Sequence, residues 1–171
     1  MARKIERDYT GTHPLFVPIL QGASRFYNDL VGSFSHSFQM DQEMVVASSY
    51  DDTTPGQLQF DPLQLNPERI AGRNILVVDD IMDTGVTLNT VCNYILQHKP
   101  TSIQVVVLIR KQNPKQDRFD ISPKYVGFSL KQQFVVGYGM DYKGCFRSMN
   151  HISVLTDELR DMVREAFSQS A

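Results

Sequence analysis

Apolar residues fall along this chain in short continuous runs separated by stretches of helical period. Leu15 to Leu20 is a run of strand length that ends at Gln21 and Gly22. Behind it Phe26, Tyr27, Leu30, Val31 and Phe34 recur at helical spacing. Met44 to Ala47 predicts a second strand, and 51–56, dense in Asp, Thr, Pro and Gly, predicts an exposed, mobile loop. Ile75 to Val78 is a third strand. After it Leu88, Val91, Cys92, Ile95 and Leu96 mark one face of a helix that Pro100 stops. Ile103 to Ile109 is a long strand, and Tyr125 to Phe128, Phe134 to Tyr138 and Ile152 to Leu155 are shorter ones. Met1 to Tyr9 reads as the end of a helix with Ala2, Ile5 and Tyr9 on one face. Asp157 to Phe167 reads as a docked terminal helix capped by Thr156, its face made of Leu159, Met162, Val163, Ala166 and Phe167.

Continuous strands interleaved with helices predict an α/β fold, a parallel sheet covered on both faces. Such sheets bind ligands at the carboxyl ends of their strands, where the strand order reverses. No repeat, linker or low-complexity tract divides the 171 residues, so the expectation is one domain over 1–171.

Composition narrows the class without naming a function. Hydrophobic residues at 42% and a net charge of -2 fit an ordinary globular chain and give no basic surface for nucleic acid. No apolar run approaches the ~20 residues that span a bilayer. The N-terminal residues lack the apolar core of a secretion signal, and Cys92 and Cys145 have no metal-site spacing, so reduced thiols in the cytoplasm are expected.

The most informative block runs from Ile75 to Leu88: a buried strand, the acids Asp79 and Asp80, then Ile81, Met82, Asp83, Thr84, Gly85, Val86 and Thr87 opening a helix. Backbone N–H groups at a helix start are unsatisfied and carry the positive end of the helix dipole. Small residues let a phosphate approach them, and Thr84 and Thr87 add hydroxyl donors, which makes an anion cradle. The acid pair is placed to accept from sugar hydroxyls or to hold a hydrated Mg²⁺. Competing readings are a response-regulator receiver domain, an aspartic-protease Asp-Thr-Gly, or plain turn and cap residues. Too few residues follow Ile75 for a receiver, and a helical pattern rather than strands follows Asp83.

This block resembles the phosphoribosyl-pyrophosphate motif of type I phosphoribosyltransferases. A second stretch, Phe134 to His151, with Asp141 and Arg147 inside it, is similar to the purine and pyrophosphate region of the hypoxanthine-guanine members of that family. Order and spacing agree from Leu15 to Leu155, and orotate, adenine and uracil transferases lack the second stretch. The resemblance implies a central parallel sheet flanked by helices, a small hood and a flexible catalytic loop. It implies transfer of a 5-phosphoribosyl group to N9 of hypoxanthine, guanine or xanthine with release of pyrophosphate.

Residue by residue, the resemblance implies Asp83 as general acid/base beside purine N7. Asp79 and Asp80 would face the ribose hydroxyls and Mg²⁺, and the turn from Met82 and Thr84 through Gly85, Val86 and Thr87 would hold the 5′-phosphate. Lys111 would donate to purine O6, with Arg110 a weaker rival. Phe134 would stack on the base, Val135 would bond its edge through the backbone, and Asp141 would hold a second Mg²⁺ near the purine. Gln21, Gly22, Ser49, Tyr50 and Arg147 would bind pyrophosphate, with a non-proline cis peptide somewhere in the loop of Leu20, Gln21 and Gly22 and the 51–56 loop closing over the site. A homodimer or homotetramer working on small molecules follows from the same resemblance. Judged by position alone, Asp83 is also a helix N-cap, Lys111 a solvated strand-end lysine, Phe134 a core aromatic and Arg147 a surface arginine.

Three departures bear on this. Gln21 stands where many members carry Lys, which removes a side-chain contact across a dimer interface but leaves the backbone N–H. Asp79 shortens the first arm of the usual Glu-Asp pair. The strand and helix start that usually precede Met1 to Tyr9 and contribute to the hood are absent, so an N-terminal hood segment that is short or missing is expected. A different class, a non-catalytic regulator that binds phosphoribosyl pyrophosphate or nucleotide, uses the same cradle but can dispense with Asp83.

Overall fold

The structure, a computed structural model, describes residues 1–49, 58–61, 64–112 and 122–168. Its elements are α1 (Ala2–Asp8), β1 (Leu15–Leu20), α2 (Ser24–Gly32), β2 (Asp41–Gln42), β3 (Val45–Ser49), β4 (Leu58–Phe60), α3 (Pro67–Ile70), β5 (Asn74–Met82), α4 (Val86–Gln97), β6 (Ser102–Lys111), β7 (Tyr125–Leu130), β8 (Val135–Val136), β9 (Ser153–Val154) and α5 (Asp157–Ser168).

Seven strands form one sheet in the order β4-β3-β1-β5-β6-β7, with β2 also beside β1. Every pairing is parallel except the antiparallel β3–β4 pair. Alternate residues of the central strands enter two separate cores. Phe16, Leu76, Val78 and Val106 pack with Ile5 of α1 and Phe26, Tyr27 and Leu30 of α2. Leu15, Val17, Ile75, Val77 and Val105 pack with Leu88, Val91, Cys92 and Ile95 of α4. Burial on both faces is why these strands read as unbroken apolar runs instead of alternating ones.

The chain moves outward in one direction from β1 to β3 and in the other from β5 to β7. The strand order therefore reverses between β1 and β5, where this fold class places its ligands. The β1–β5 register ends at Pro18 opposite Val78, whereas β5 continues beside β6 to Met82 opposite Arg110. Past Val78 the β1 side of β5 is open, and the polar end of β5 projects into that gap.

Several boundaries differ from the pattern reading. β5 runs through Asp79 and Asp80 to Met82, so the acid pair is strand rather than loop. β6 likewise carries Arg110 and Lys111 within it. The expected strand from Phe134 to Tyr138 shrinks to Val135–Val136, because Gly137, Tyr138 and Gly139 take positive φ angles of 91°, 54° and 101° that extended chain cannot hold. Helix α5 forms and Thr156 Oγ1 accepts from Leu159 N at 3.3 Å, but its apolar face is not docked as expected. Only Val163 is buried; Met162 and Phe167 are 65% and 50% exposed. Periodicity sets the helix and says nothing of what lies beneath it. Helix α3 is absent from the pattern reading, although Asn66, whose Oδ1 accepts from Glu68 N at 2.9 Å, and Pro67 at the first helical position supply a start signal.

Candidate active site

A cavity of about 620 Å³ opens at the carboxyl ends of β1 and β5. Its lining includes Gln21, Gly22, Asp79, Asp80, Asp83, Thr87, Lys111, Phe134, Val135, Asp141 and Arg147. Thus most residues singled out in sequence come together here from five separate segments. The lining also includes Val46 and Ala47, which lie outside both motifs, and Ile81 and Met140, which lie inside them but have no assigned role. Met140 is 4% exposed and sits directly before Asp141, an apolar residue in a polar stretch that could have signalled a buried wall.

At the floor, Asp79 and Asp80 are each 7% exposed. Asp80 N donates to Asp79 Oδ1 at 3.0 Å and Ile81 N to Asp80 Oδ1 at 2.7 Å. Burial, and then the charge of Asp80, push the Asp79 carboxyl well above the ordinary aspartate range. Burial also raises Asp80, partly offset by local hydrogen bonds and by the Arg147 charge. The carboxylate of Asp80 lies so close over Gly22 that a Cβ there would overlap it. Only glycine lets the β1–α2 loop pass at this depth.

The lining carries four aspartates against one lysine and one arginine. That excess is unfavourable toward a phosphorylated ligand unless a cation accompanies it. Two adjacent buried carboxylates suit a hard divalent cation that keeps part of its water shell. Among the described residues no group of three or more His, Cys, Asp or Glu forms a protein-only metal site. Asp79 and Asp80 fit a cation shared with its ligand, and Asp141 offers a second carboxylate across the cavity.

Next to the floor, Asp83 to Gly85 form the turn into α4. Gly85, at φ +85°, is the residue before the helix, and it makes no side-chain cap. Asp83 is therefore not the N-cap. Its Oδ2 lies 2.7 Å from Lys111 Nζ instead. Thr84 Oγ1 accepts from Val86 N at 3.5 Å, and the first turn of α4 points its N–H groups outward from this turn. Lys111 is 7% exposed, so it is not a solvated strand-end lysine, and its Nζ lies 5.6 Å from the Phe134 ring centroid. Phe134 is not a core aromatic either. It is 42% exposed, packs edge-on against Tyr142, and lines the cavity.

The far wall is the 137–147 segment. Arg147 Nη1 donates to Gly139 O at 2.7 Å and Nη2 pairs with Asp141 Oδ1 at 2.7 Å. Asp141 Oδ2 also accepts from Gly144 N at 2.7 Å. The peptide bond Leu20–Gln21 is cis, as the resemblance implied. Ser49 closes β3, while Tyr50 and the 51–56 loop lie outside the described residues.

A switch-point cavity, a paired-acid strand end and a threonine-glycine helix start define a phosphoribosyl transferase. The family described as phosphoribosyl transferase domain matches residues 1–143, and the chain belongs to it. Within that family it groups with the hypoxanthine-guanine phosphoribosyltransferases. The enzyme of that name from Streptococcus pneumoniae is 33% identical over 159 residues, covering 93% of this chain and 86% of its own length. The one from Bos taurus is 30% identical over 168 residues, covering 92% and 74%. A hypoxanthine phosphoribosyltransferase from Trypanosoma cruzi, solved as a variant with the product IMP, superposes with a TM-score of 0.80 at 29% identity, covering 95% of this chain and 86% of that one.

Proposed function

We propose that this enzyme transfers the 5-phosphoribosyl group of phosphoribosyl pyrophosphate to N9 of a 6-oxopurine, releasing pyrophosphate and forming the purine nucleoside 5′-monophosphate. The observation that carries this reading is the 2.7 Å Lys111–Asp83 pair inside the cavity and beside Phe134. Purine N7 and O6 are neighbours on one edge of the base. A lysine and an aspartate in contact can meet both at once, Lys111 donating to O6 and Asp83 exchanging a proton at N7. An amino group in place of O6 presents donors to an ammonium, so the pair disfavours adenine.

The bond between the sugar's anomeric carbon and the pyrophosphate oxygen breaks as the bond to N9 forms. Asp83 takes up the proton that leaves the purine. Because positive charge develops on the sugar, Asp79 and Asp80 beneath it act electrostatically and accept from its hydroxyls. The turn from Met82 through Thr84, Gly85 and Val86 to Thr87 takes the 5′-phosphate at the start of α4. Arg147, the Gln21–Gly22 backbone and, from β3 onward, Ser49 and Tyr50 take the pyrophosphate. Phe134 stacks on the base and Val135 bonds its edge. Asp79, Asp80 and Asp141 would supply oxygens to Mg²⁺, which would offset the charge of the pyrophosphate leaving group.

The same reading includes a homodimer or homotetramer in the cytoplasm, acting on small molecules. Among the described residues no helix is long and apolar enough to cross a membrane. Incubation with hypoxanthine, phosphoribosyl pyrophosphate and Mg²⁺, followed by chromatography, tests the activity. The purine nucleoside 5′-monophosphate is the expected product. Tight phosphoribosyl-pyrophosphate binding without product would instead indicate a regulator of the same fold.

A further inference from the structure

One side-chain cluster beside the cavity has no part in the chemistry above. Tyr138 is held at φ +54°, a left-handed conformation that a residue with a Cβ adopts only at a cost. Its hydroxyl donates to Asp29 Oδ2, and the Arg25 guanidinium lies 5.1 Å from its ring centroid. Arg25 Nη1 in turn donates to Asn150 Oδ1 at 2.8 Å. Arg25 and Asp29 are one turn apart on α2, whose N-cap, Ala23, directly follows Gln21 and Gly22.

The backbone around Tyr138 carries this grip to the pyrophosphate wall. Tyr138 N donates to Met149 O at 2.9 Å and Gly139 N to Arg147 O at 3.1 Å. Gly139 O accepts from Arg147 Nη1 at 2.7 Å. On its other side Gly139 lies against Gly22, so close that a Cβ at Gly139 would overlap Gly22 O. The β8–β9 pair is a separate sheet from the seven-stranded one. Side-chain ties such as this one therefore set how its turn meets α2.

We propose that Tyr138, clamped by Arg25 and Asp29, is a positioning residue for the pyrophosphate subsite. Acting through Gly139, it fixes the distance between the Gln21–Gly22 backbone and the Arg147 guanidinium. The proposal rests on the assignment of Gln21, Gly22 and Arg147 to pyrophosphate. Desolvation, reinforced by Asp29, pushes the Tyr138 hydroxyl up to about 12, so it remains a donor at neutral pH.

The test is calorimetric binding of inorganic pyrophosphate with Mg²⁺, together with KM values for phosphoribosyl pyrophosphate and hypoxanthine. Tyr138→Phe and Asp29→Leu are expected to weaken pyrophosphate binding and raise the phosphoribosyl-pyrophosphate KM about tenfold, the scale of one lost hydrogen bond. The hypoxanthine KM should stay unchanged. Asp29→Asn, which keeps an acceptor oxygen, should restore wild-type values. Tyr125→Phe, which breaks the equivalent 2.9 Å bond to Asp8 away from the cavity, should leave pyrophosphate affinity unchanged. Unchanged pyrophosphate affinity in Tyr138→Phe would overturn the clamp, as would a parallel rise in both KM values with a lowered Tm. A wild-type protein that binds no pyrophosphate would remove the subsite assignment itself, and the clamp's role with it.

Discussion

Lys111 Nζ and Asp83 Oδ2 stand 2.7 Å apart, at the ends of two adjacent parallel strands and 28 residues apart in the chain. The lysine side chain is 8% exposed and the aspartate 40%, so the pair is anchored on the protein side and open on the cavity side. In the proposed roles, a base stacked on Phe134 would meet a donor and a proton acceptor already in register. This pre-set geometry is what the reaction needs, because the protein binds and orients more than it forms bonds.

Asp83→Asn keeps the shape of the pair but removes the proton acceptor. Turnover should fall by about 10²–10⁴, the usual range for an acid/base group, while affinities for base and phosphoribosyl pyrophosphate stay close to wild type. Steady-state kinetics alongside equilibrium binding checks this, and near-wild-type turnover would remove the role.

Lys111→Met keeps the apolar stem near Phe134 and loses the charge. Loss of one charge-assisted bond predicts a rise of roughly 10- to 100-fold in the KM for hypoxanthine. The phosphoribosyl-pyrophosphate KM should change far less. Equal changes in both would place Lys111 outside the base subsite.

Asp79→Asn separates function from stability. Burial and the Asp80 charge raise the Asp79 carboxyl from its ordinary 3.8, so the fold binds that proton more tightly than the unfolded chain does. Stability from this group is therefore greatest below 3.8 and declines as pH rises toward the raised folded value. The variant should have a higher Tm than wild type at neutral pH without Mg²⁺, and a flatter pH dependence. The Tm gain on adding Mg²⁺ with phosphoribosyl pyrophosphate should be smaller in the variant. Scanning calorimetry across pH reads all three.

Gly22→Ala inserts a methyl group into the Asp80 carboxylate. Overpacking of this kind costs about 1–3 kcal/mol, and here the atoms forced to move are those of the carboxylate proposed to face the sugar. A lowered Tm with a larger proportional loss of turnover is expected; wild-type values for both would mean that the loop does not pass so close.

The central strands, α2 and α4 were legible because burial on both sheet faces leaves continuous apolar runs and a 3.6-residue period. The polar end of β5 was not. Asp79 and Asp80 carry no strand signal, and only the register with β6 keeps them extended. The two-residue β2 and three-residue β4 depend on neighbours that no local pattern names. In β8 the left-handed residues 137–139 cut the strand short, a choice made by packing against His151 and Gly22. The motifs picked out most of the polar cavity lining because a strand end and a helix start are local features of sequence. The Lys111–Asp83 contact and the Tyr138 clamp are long-range, and they became visible only once the strands were in register.

The most direct measurement is pyrophosphate release with Mg²⁺ and phosphoribosyl pyrophosphate, using hypoxanthine, guanine, xanthine and adenine in turn. Release with the oxopurines and none with adenine is the result this account predicts. Release with adenine at a comparable rate, or with no base at all, would contradict it.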